Sequence, residues 1–233
     1  MDQRGDLFLD SPDDLFGTMA EQVAAPAGEK VEVAVPLGVP HEGSLAVHQD
    51  RMHRAAGPLL HQLHRATGLV VHLAVLDGSD VVYLEKVGNA LITAVPSRVG
   101  GRQPAHCTAV GKAILAYNQD ADVDLTTRKT KYSITNSTQF AAELAKVRAR
   151  GVAIDREESV LGFGCVAAPI GGEGEAAAAV SVCGPMSRMA FDQLTAPVRM
   201  TAMGIWRNAE DSRVAPTLQP MRPLRMGPAL QYA

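Results

Sequence analysis

The sequence lacks any apolar run long enough to cross a membrane. A spanning helix needs about 18 consecutive apolar residues, and no segment of the 233 residues contains such a run. The first residues also lack the basic stretch followed by an apolar stretch that is typical of a secretory signal. We therefore expect a cytoplasmic protein that has no membrane partner.

Cysteine and aromatic residues are both scarce. Cys107, Cys165 and Cys183 form an odd, widely spaced set, unlike the disulfide framework of a small secreted domain. We expect all three to be thiols. Aromatic residues make up only 4% of the chain, so the core must be built mainly from Ala, Val, Leu and Met.

Basic residues are scarce in segment 1–47, which holds two of them against nine acidic residues, whereas the rest of the chain holds 20 basic and 16 acidic residues. Affinity for nucleic acid comes largely from Lys and Arg side chains that displace counterions from phosphates. The segment contains one predicted short helix, at 12–23, and not the helix pair that a helix-turn-helix requires. We expect an atypical acidic segment that is unsuited to binding DNA.

The apolar pattern predicts an α+β domain over residues 48–211. Asp77-Gly78 between two β-branched runs indicates a hairpin, and the strands and helices do not alternate regularly, which favours an antiparallel sheet with packed helices. Residues 212–233 contain four prolines and no acidic residue, which predicts a disordered tail. The predicted helices are 49–66, containing Pro58, then 109–117, 138–150, and 188–208 with an interruption near Pro197. The predicted strands are 70–76, 81–87, 91–96, 152–155, 165–170 and 176–183.

A loop at 98–108 is the first candidate site. It carries Arg98, Arg102, His106 and Cys107, and it ends at Thr108, a suitable cap for the helix that follows. Free N–H groups and the positive end of the helix dipole suit such a place to a carboxylate or phosphate. The alternative is that the arginines are solvated and that His106 only caps the helix.

Two other groups could in principle support hydrolysis. The carboxylates of segment 155–158 follow a predicted strand, and paired carboxylates can act as acid and base. We favour a solvated loop there, because no supporting catalytic residue accompanies them. Cys107 beside His106 could form a nucleophilic pair, but adjacent residues on an extended segment point in opposite directions. We therefore expect a protein that is not an enzyme and uses no cofactor.

Three histidines share the predicted helix at 49–66. His61 and His64, with His53, lie on one helix at spacings that could share a metal ion. No Cys, Asp or Glu completes the set nearby. We therefore favour solvated or capping histidines and predict no metal site.

Five segments, taken in order, form a recognisable set of motifs. They are 67–78, 101–116 (Gly-Arg-Gln-Pro-Ala-His-Cys-Thr-Ala-Val-Gly-Lys-Ala-Ile-Leu-Ala), 150–158, 164–170 and 180–185. Together they resemble the effector-binding domain of the IclR family of bacterial transcription regulators, and the similarity covers about residues 48–208. Members of this family join an N-terminal winged helix-turn-helix to a C-terminal domain that binds a small-molecule effector.

The resemblance implies a sheet of about six antiparallel strands with helices on both faces, similar to profilin or GAF-like sensors. It also implies a pocket for an organic or aromatic acid, and assembly into a homodimer or tetramer. Arg98, Arg102 and Thr108 are secondary candidates from the loop itself. The pocket positions carried over by motif are His106, Cys107, Asp155, Cys165, Ser181 and Cys183.

Two features depart from the family pattern. Cys183 stands where the family commonly has serine, so a hydroxyl is replaced by a weakly hydrogen-bonding thiol. Segment 1–47 does not resemble the winged helix-turn-helix, although the family implies DNA as a partner. We expect a transcription regulator of the IclR type. The alternatives are a stand-alone effector-binding or oligomerisation module without direct DNA binding and, last, a cysteine-dependent hydrolase of small molecules.

Overall fold

The computed structural model describes residues 42–118, 121, 123–172, 174, 176 and 178–214. The predicted helix at 12–23 lies outside them, as does most of the tail predicted at 212–233. The four α-helices are α1 (Glu42–Thr67), α2 (Ala109–Tyr117), α3 (Ser137–Arg150) and α4 (Phe191–Val214). The six strands are β1 (Val70–Asp77), β2 (Asp80–Val87), β3 (Arg102–Pro104), β4 (Ala153–Arg156), β5 (Phe163–Ile170) and β6 (Ala178–Pro185).

The strands form one antiparallel sheet in the order β3-β2-β1-β6-β5-β4. The β1–β2 hairpin turns where Asp77 pairs with Asp80. Gly78 adopts a φ of 61° there, a conformation that glycine reaches without steric cost. The predicted α+β class and antiparallel sheet are confirmed.

The two faces of the sheet pack against different helices. On one face, Leu73, Val180 and other branched side chains contact α1 and α4. On the other face, small residues such as Ala74, Ala167 and Ala179 lie beneath α2 and α3. Period-two alternation along each strand produces this division, and the small side chains allow α2 to lie close to the sheet.

The predicted third strand at 91–96 is wrong. Ala90–Ile92 forms a 3₁₀ turn capped by Asn89, whose side-chain oxygen accepts the Leu91 N–H at 3.2 Å. Strand β3 takes the position beside β2 instead. The Tyr83 N–H donates to the Gly101 carbonyl and the Tyr83 carbonyl accepts the Gly100 N–H, which holds the chain just before β3 against β2. These long-range contacts leave no local sequence signal.

The predicted interruption of the last helix is also wrong, because α4 runs through Pro197 without a break. Proline removes one backbone donor, but the buried residues Val198, Ala202 and Ile205 keep the following turns packed against the sheet. Helix α1 likewise runs through Pro58. Within the described residues, no helix is long and apolar enough to cross a membrane.

Candidate functional site

A small cavity lies between the sheet and the beginning of α2. The first residues of α2 and segment 95–97 form part of its walls. Its volume is about 30 Å³, which holds one or two water molecules. The strand residues that line it are His72, Tyr83, Gln103, Asp155, Phe163, Cys165, Ser181 and Cys183.

The beginning of α2 contributes polar backbone groups to the cavity. The Thr108 hydroxyl accepts the Gly111 N–H at 3.1 Å and so caps the helix. Ala109 and Val110, the first two helical residues, line the cavity. The N–H groups of such positions have no partner within their own helix, and the helix dipole adds partial positive charge there. This wall is suited to an anion.

His72 and Lys86 hold segment 95–97 beside the cavity. The His72 Nε2 lies 2.7 Å from the Ser97 hydroxyl. The Lys86 ammonium donates to the Val95 and Ser97 carbonyls at 2.8 and 2.5 Å. Burial, followed by the charge of Lys86, lowers the pKa of His72 to about 3. The imidazole is therefore neutral near pH 7, and the segment is retained by these hydrogen bonds and by the packing of Val95 against Val70 and Cys183.

Asp155 organises the turn after β4. One carboxylate oxygen accepts the Glu158 N–H at 2.7 Å, and the other accepts the Ser159 hydroxyl at 2.6 Å. Burial raises the pKa of Asp155, and the hydrogen bond from Ser159 and the charge of Lys112 oppose that shift. Glu157 in this turn has a φ of 63°, so the turn needs such fixed anchors.

A buried ion pair joins α2 to the same turn. The fully buried Lys112 ammonium donates to Glu158 Oε1 at 2.5 Å and to the Ile154 carbonyl at 2.6 Å. Burial raises the pKa of Glu158 to about 7, although Lys112 acts against this shift. The pair therefore fixes the position of the α2 wall relative to Asp155.

The remaining polar groups of the cavity are neutral. Cys165 lies opposite Cys183 on neighbouring strands, and a hydrogen bond with Cys183, together with burial, raises the pKa of the Cys165 thiol well above its usual value. Burial likewise raises the pKa of Tyr83, whose ring centroid lies 5.1 Å from that of His72. None of the described residues lining the cavity is Lys or Arg, so the N–H groups of α2 are its main positive feature.

Comparison with known proteins identifies the family. The family model described as the C-terminal domain of bacterial transcriptional regulator IclR matches residues 44–207. The chain belongs to the IclR family. The resemblance carried by the sequence motifs is thereby confirmed.

Curated relatives match over this domain. The regulator BhcR of Paracoccus denitrificans (strain Pd 1222) is 34% identical over 161 residues, which cover 66% of this chain and 58% of BhcR. The transcriptional repressor IclR of Escherichia coli (strain K12) is 35% identical over 147 residues, 59% of this chain and 54% of the repressor. The chain thus spans little more than half the length of these curated relatives.

Solved structures share the fold. The Thermotoga maritima IclR structure superposes with a TM-score of 0.62 at 30% identity and covers 72% of each chain. A double mutant of the PobR inducer-binding domain from Acinetobacter, in complex with 3-hydroxybenzoic acid, superposes with a TM-score of 0.56 at 26% identity. That alignment covers 66% of this chain and 96% of the PobR domain.

Within this IclR domain, the cavity collects five of the predicted site residues: Thr108, Asp155, Cys165, Ser181 and Cys183. Four of them lie on three neighbouring strands and one at the beginning of α2. They are close in space although up to 75 positions apart in the sequence.

His106 and Cys107 lie outside the cavity lining, in a 3₁₀ turn before α2. The His106 Nε2 lies 2.8 Å from the Thr127 carbonyl. The Cys107 thiol donates to the Pro104 carbonyl at 3.5 Å, and burial raises its pKa to about 12. These two adjacent side chains have different partners, and nothing in this arrangement activates Cys107 as a nucleophile.

The two arginines of the loop also lie outside the cavity lining. Arg98 is exposed. Arg102 forms ion pairs with Asp77 at 2.5 Å and Asp80 at 3.2 Å. Arg102 therefore ties β3 to the turn of the β1–β2 hairpin.

The expectation of a solvated loop at 155–158 is wrong for its two buried carboxylates. Asp155 and Glu158 are 1% and 8% exposed, because the turn folds back under α2. Among the histidines of α1, His53 contacts Glu85 and His64 contacts the Leu69 carbonyl. The described part of the chain contains no group of three or more potential ligands that could hold a metal ion.

Sequence reasoning missed several residues that shape the site. His72 stands alone in an apolar strand, a signal that could have marked it as a buried polar group with a specific partner. Lys112 likewise interrupts the apolar residues of α2. Lys86 and Ser97 carry no comparable signal, because their roles depend on how segment 95–97 folds over β2.

Proposed function

We propose that this chain is the sensing part of a transcription regulator and binds a small organic acid in the cavity. The observation that carries this proposal is the position of the capped α2 N-terminus, with Ala109 and Val110 lining a cavity that has no Lys or Arg among its described lining residues. Backbone N–H groups at a helix beginning are a natural site for a carboxylate.

The other cavity groups suit the rest of such a ligand. The Ser181 hydroxyl and the thiols of Cys165 and Cys183 are neutral donors opposite the α2 wall. Val95 and Phe163 add apolar surface. Support also comes from the PobR inducer-binding domain, which shares the fold and is bound to 3-hydroxybenzoic acid. From that complex we take only the class of ligand, a small carboxylic acid.

Binding requires the cavity to open. A volume of about 30 Å³ is too small for a benzoate-sized acid. Segment 95–97 is the wall best suited to move, since Lys86 and His72 hold it by hydrogen bonds and it belongs to no helix or strand. An effector that binds only the open arrangement shifts the population toward it, which is how a sensor passes a signal to the rest of an assembly.

The proposal covers binding without conversion of the ligand. The groups that could act in hydrolysis are engaged elsewhere, since Asp155 holds its turn and Glu158 is paired with Lys112. Cys107 is protonated near neutral pH because burial raises its pKa to about 12. We include in the proposal a cytoplasmic location and a homodimer or tetramer.

A second candidate function is favoured by charge. Segment 1–47 holds two basic and nine acidic residues, so it repels a polyanion. In this candidate, the domain binds its effector in the same cavity but controls transcription through assembly with a partner rather than by contacting DNA itself.

Thermal unfolding in the presence of small acids tests the proposal. We expect at least one aliphatic or aromatic carboxylic acid to raise the melting temperature, because a ligand that binds the native state stabilises it in proportion to its saturation. The matched carboxamide of the same acid should give a much smaller shift, since it lacks the charge that the α2 N-terminus favours. Equal shifts for acid and amide would contradict the assignment of the α2 wall.

A further inference from the structure

Two of the three cysteines face each other within the cavity. Cys165 on β5 lies directly opposite Cys183 on β6, and both line the cavity. In an antiparallel ladder, such opposite pairs alternate between hydrogen-bonded pairs and non-hydrogen-bonded pairs, and the side chains are closer in the second kind. The kind of pair therefore decides how near the sulfurs lie.

Two prolines identify the pair as non-hydrogen-bonded. Pro185 and Pro169 belong to pairs two and four steps along the same register from the cysteine pair. Pairs separated by an even number of steps are of the same kind, and proline has no N–H to exchange. A backbone hydrogen bond of 2.8 Å from Met186 to Gly162, three steps away, marks the other kind.

The resulting geometry lies within the range of a disulfide. Cα atoms of a non-hydrogen-bonded pair are about 4.5 Å apart, and disulfides join Cα atoms that are about 4.4–6.8 Å apart. The two side chains lie on the same face of the sheet and line the same cavity. Both residues are free thiols in this structure, so a bond between them needs little movement of the backbone.

We propose that Cys165 and Cys183 form a reversible disulfide within the cavity when hydrogen peroxide is the oxidant. This modification goes beyond the proposed sensing of an acid and does not depend on it. It replaces two thiol donors of the cavity by an S–S bond and covalently joins β5 to β6 at that wall.

Formation of the disulfide consumes one molecule of hydrogen peroxide. One cysteine, as its thiolate, attacks a peroxide oxygen, so an S–O bond forms, the O–O bond breaks, and the released hydroxide takes up a proton to give water. The second sulfur then attacks the sulfenic sulfur. The S–S bond forms, the S–O bond breaks, and the leaving hydroxide takes the second thiol proton. Two thiols are oxidised, and one peroxide is reduced to two waters.

The size of the cavity favours this oxidant. A volume of about 30 Å³ admits a molecule the size of hydrogen peroxide and excludes a peptide disulfide such as oxidised glutathione. The reaction is slow near neutral pH, because the thiolate is the reactive form, and the neighbouring Cys183 together with burial raises the pKa of Cys165 well above its usual value. We expect its rate to rise about tenfold per pH unit between pH 7 and 9.

Peptide mapping of the folded full-length chain tests the proposal. The native protein is treated with hydrogen peroxide at pH 7, 8 and 9, and its remaining thiols are alkylated in denaturant. The chain has no Lys or Arg between Arg156 and Arg188, so trypsin leaves both cysteines on one peptide. A Glu-specific protease cuts after Glu173 and Glu175 and separates them. We expect two peptides linked by a bond that dithiothreitol breaks.

Single substitutions supply the controls. Cys107→Ser removes the other buried cysteine and should retain the linked peptides at the wild-type yield. Cys183→Ser, which restores the residue common in the family, should abolish them. Loss of the thiols to sulfinic acids without linked peptides, linkage of either cysteine to Cys107, or no reaction at pH 9 over several hours would each overturn the proposal.

Discussion

At the scale of single residues, the site depends on polar groups whose charge is controlled by burial. His72 is 2% exposed and its pKa is lowered to about 3, whereas Glu158 is 8% exposed and its pKa is raised to about 7. Burial disfavours the charged form of each side chain, and in Glu158 the charge of Lys112 opposes this effect. The two pKa shifts change the free energy of unfolding in opposite directions between the ordinary pKa of Glu158, 4.5, and that of His72, 6.5, so substitution is needed to separate them.

The His72→Gln substitution tests the buried neutral imidazole. Because the folded-state pKa of about 3 lies below the ordinary value of 6.5, the unfolded chain binds more protons between these values. The stability that His72 contributes is present above pH 6.5 and is lost as the pH falls toward 3, by about 1.4 kcal/mol per pH unit. The opposite contribution of Glu158 is common to both proteins, so urea unfolding at pH 7, 6 and 5 should show the His72 slope as the difference in free energy of unfolding between wild type and variant. Equal slopes would contradict the assignment.

The buried pair of Lys112 and Glu158 gives a second test. Removing one partner leaves an uncompensated buried charge, so Lys112→Met should lower the free energy of unfolding by about 3–5 kcal/mol. The double variant that adds Glu158→Leu should recover much of this loss, since apolar side chains of similar size replace both charges. Additive losses, measured by chemical denaturation, would show that the two side chains do not depend on each other.

At this scale, the sequence revealed some of the site residues and missed others. Asp155, Cys165, Ser181 and Cys183 were found through family motifs, and the structure places all four at the cavity. His106 and Cys107 directly precede the cavity residue Thr108, but they lie against the Thr127 and Pro104 carbonyls and do not line the cavity. Burial of Lys112 and Glu158 could not be predicted, since it follows from the packing of α2 on the β4 turn.

At the scale of elements, the local sequence signals for helix caps and tight turns predicted the structure correctly. Thr108 caps α2 as predicted, and Gly151 ends α3 with a φ of 72°. The β1–β2 hairpin predicted from Asp77-Gly78 is also present. Strand β3 was missed because it depends on long-range contacts. These are the ion pairs of Arg102 and the backbone hydrogen bonds between Tyr83 and residues 100 and 101.

The Gly111→Ala substitution tests how closely α2 packs on the turn that precedes it. A Cβ atom at Gly111 would lie 2.1 Å from the Ala105 carbonyl oxygen, which is backbone and cannot turn aside. We expect a loss of about 3 kcal/mol or more of stability, at the upper end of overpacking effects. Gly57→Ala is the helical control, because apart from its chain neighbours and the backbone of its own helix no atom lies within 4 Å of the new Cβ.

The control should show a much smaller change. Alanine is favoured over glycine in a helix interior by about 0.5–1 kcal/mol, but Gly57 precedes Pro58, and proline disfavours the helical conformation in a preceding residue that has a Cβ. These two effects oppose each other, so Gly57→Ala should change the urea midpoint little. A small loss at Gly111, similar in size to the change at Gly57, would show that α2 has room to move away from Ala105.

At the scale of the whole molecule, charge separates the two candidate functions. The acidic segment 1–47 has a net charge of −7, and the remaining residues have a net charge of +4. If the chain acts through a partner, an electrophoretic shift assay with its own upstream DNA should show no complex up to micromolar protein at low salt, where non-specific attraction is greatest. A salt-sensitive complex under these conditions would favour direct binding.

The most direct test of the central claim is calorimetric titration of the acid that gives the largest thermal shift. Ser181→Ala removes a hydroxyl from the cavity, and Arg102→Ala removes a side chain that lies outside it. We predict a Kd weakened about tenfold in the Ser181 variant, equivalent to one lost hydrogen bond of about 1.4 kcal/mol, and an unchanged Kd in the Arg102 variant. Equal affinity in all three proteins, or chemical conversion of the acid, would contradict a cavity that senses a carboxylic acid.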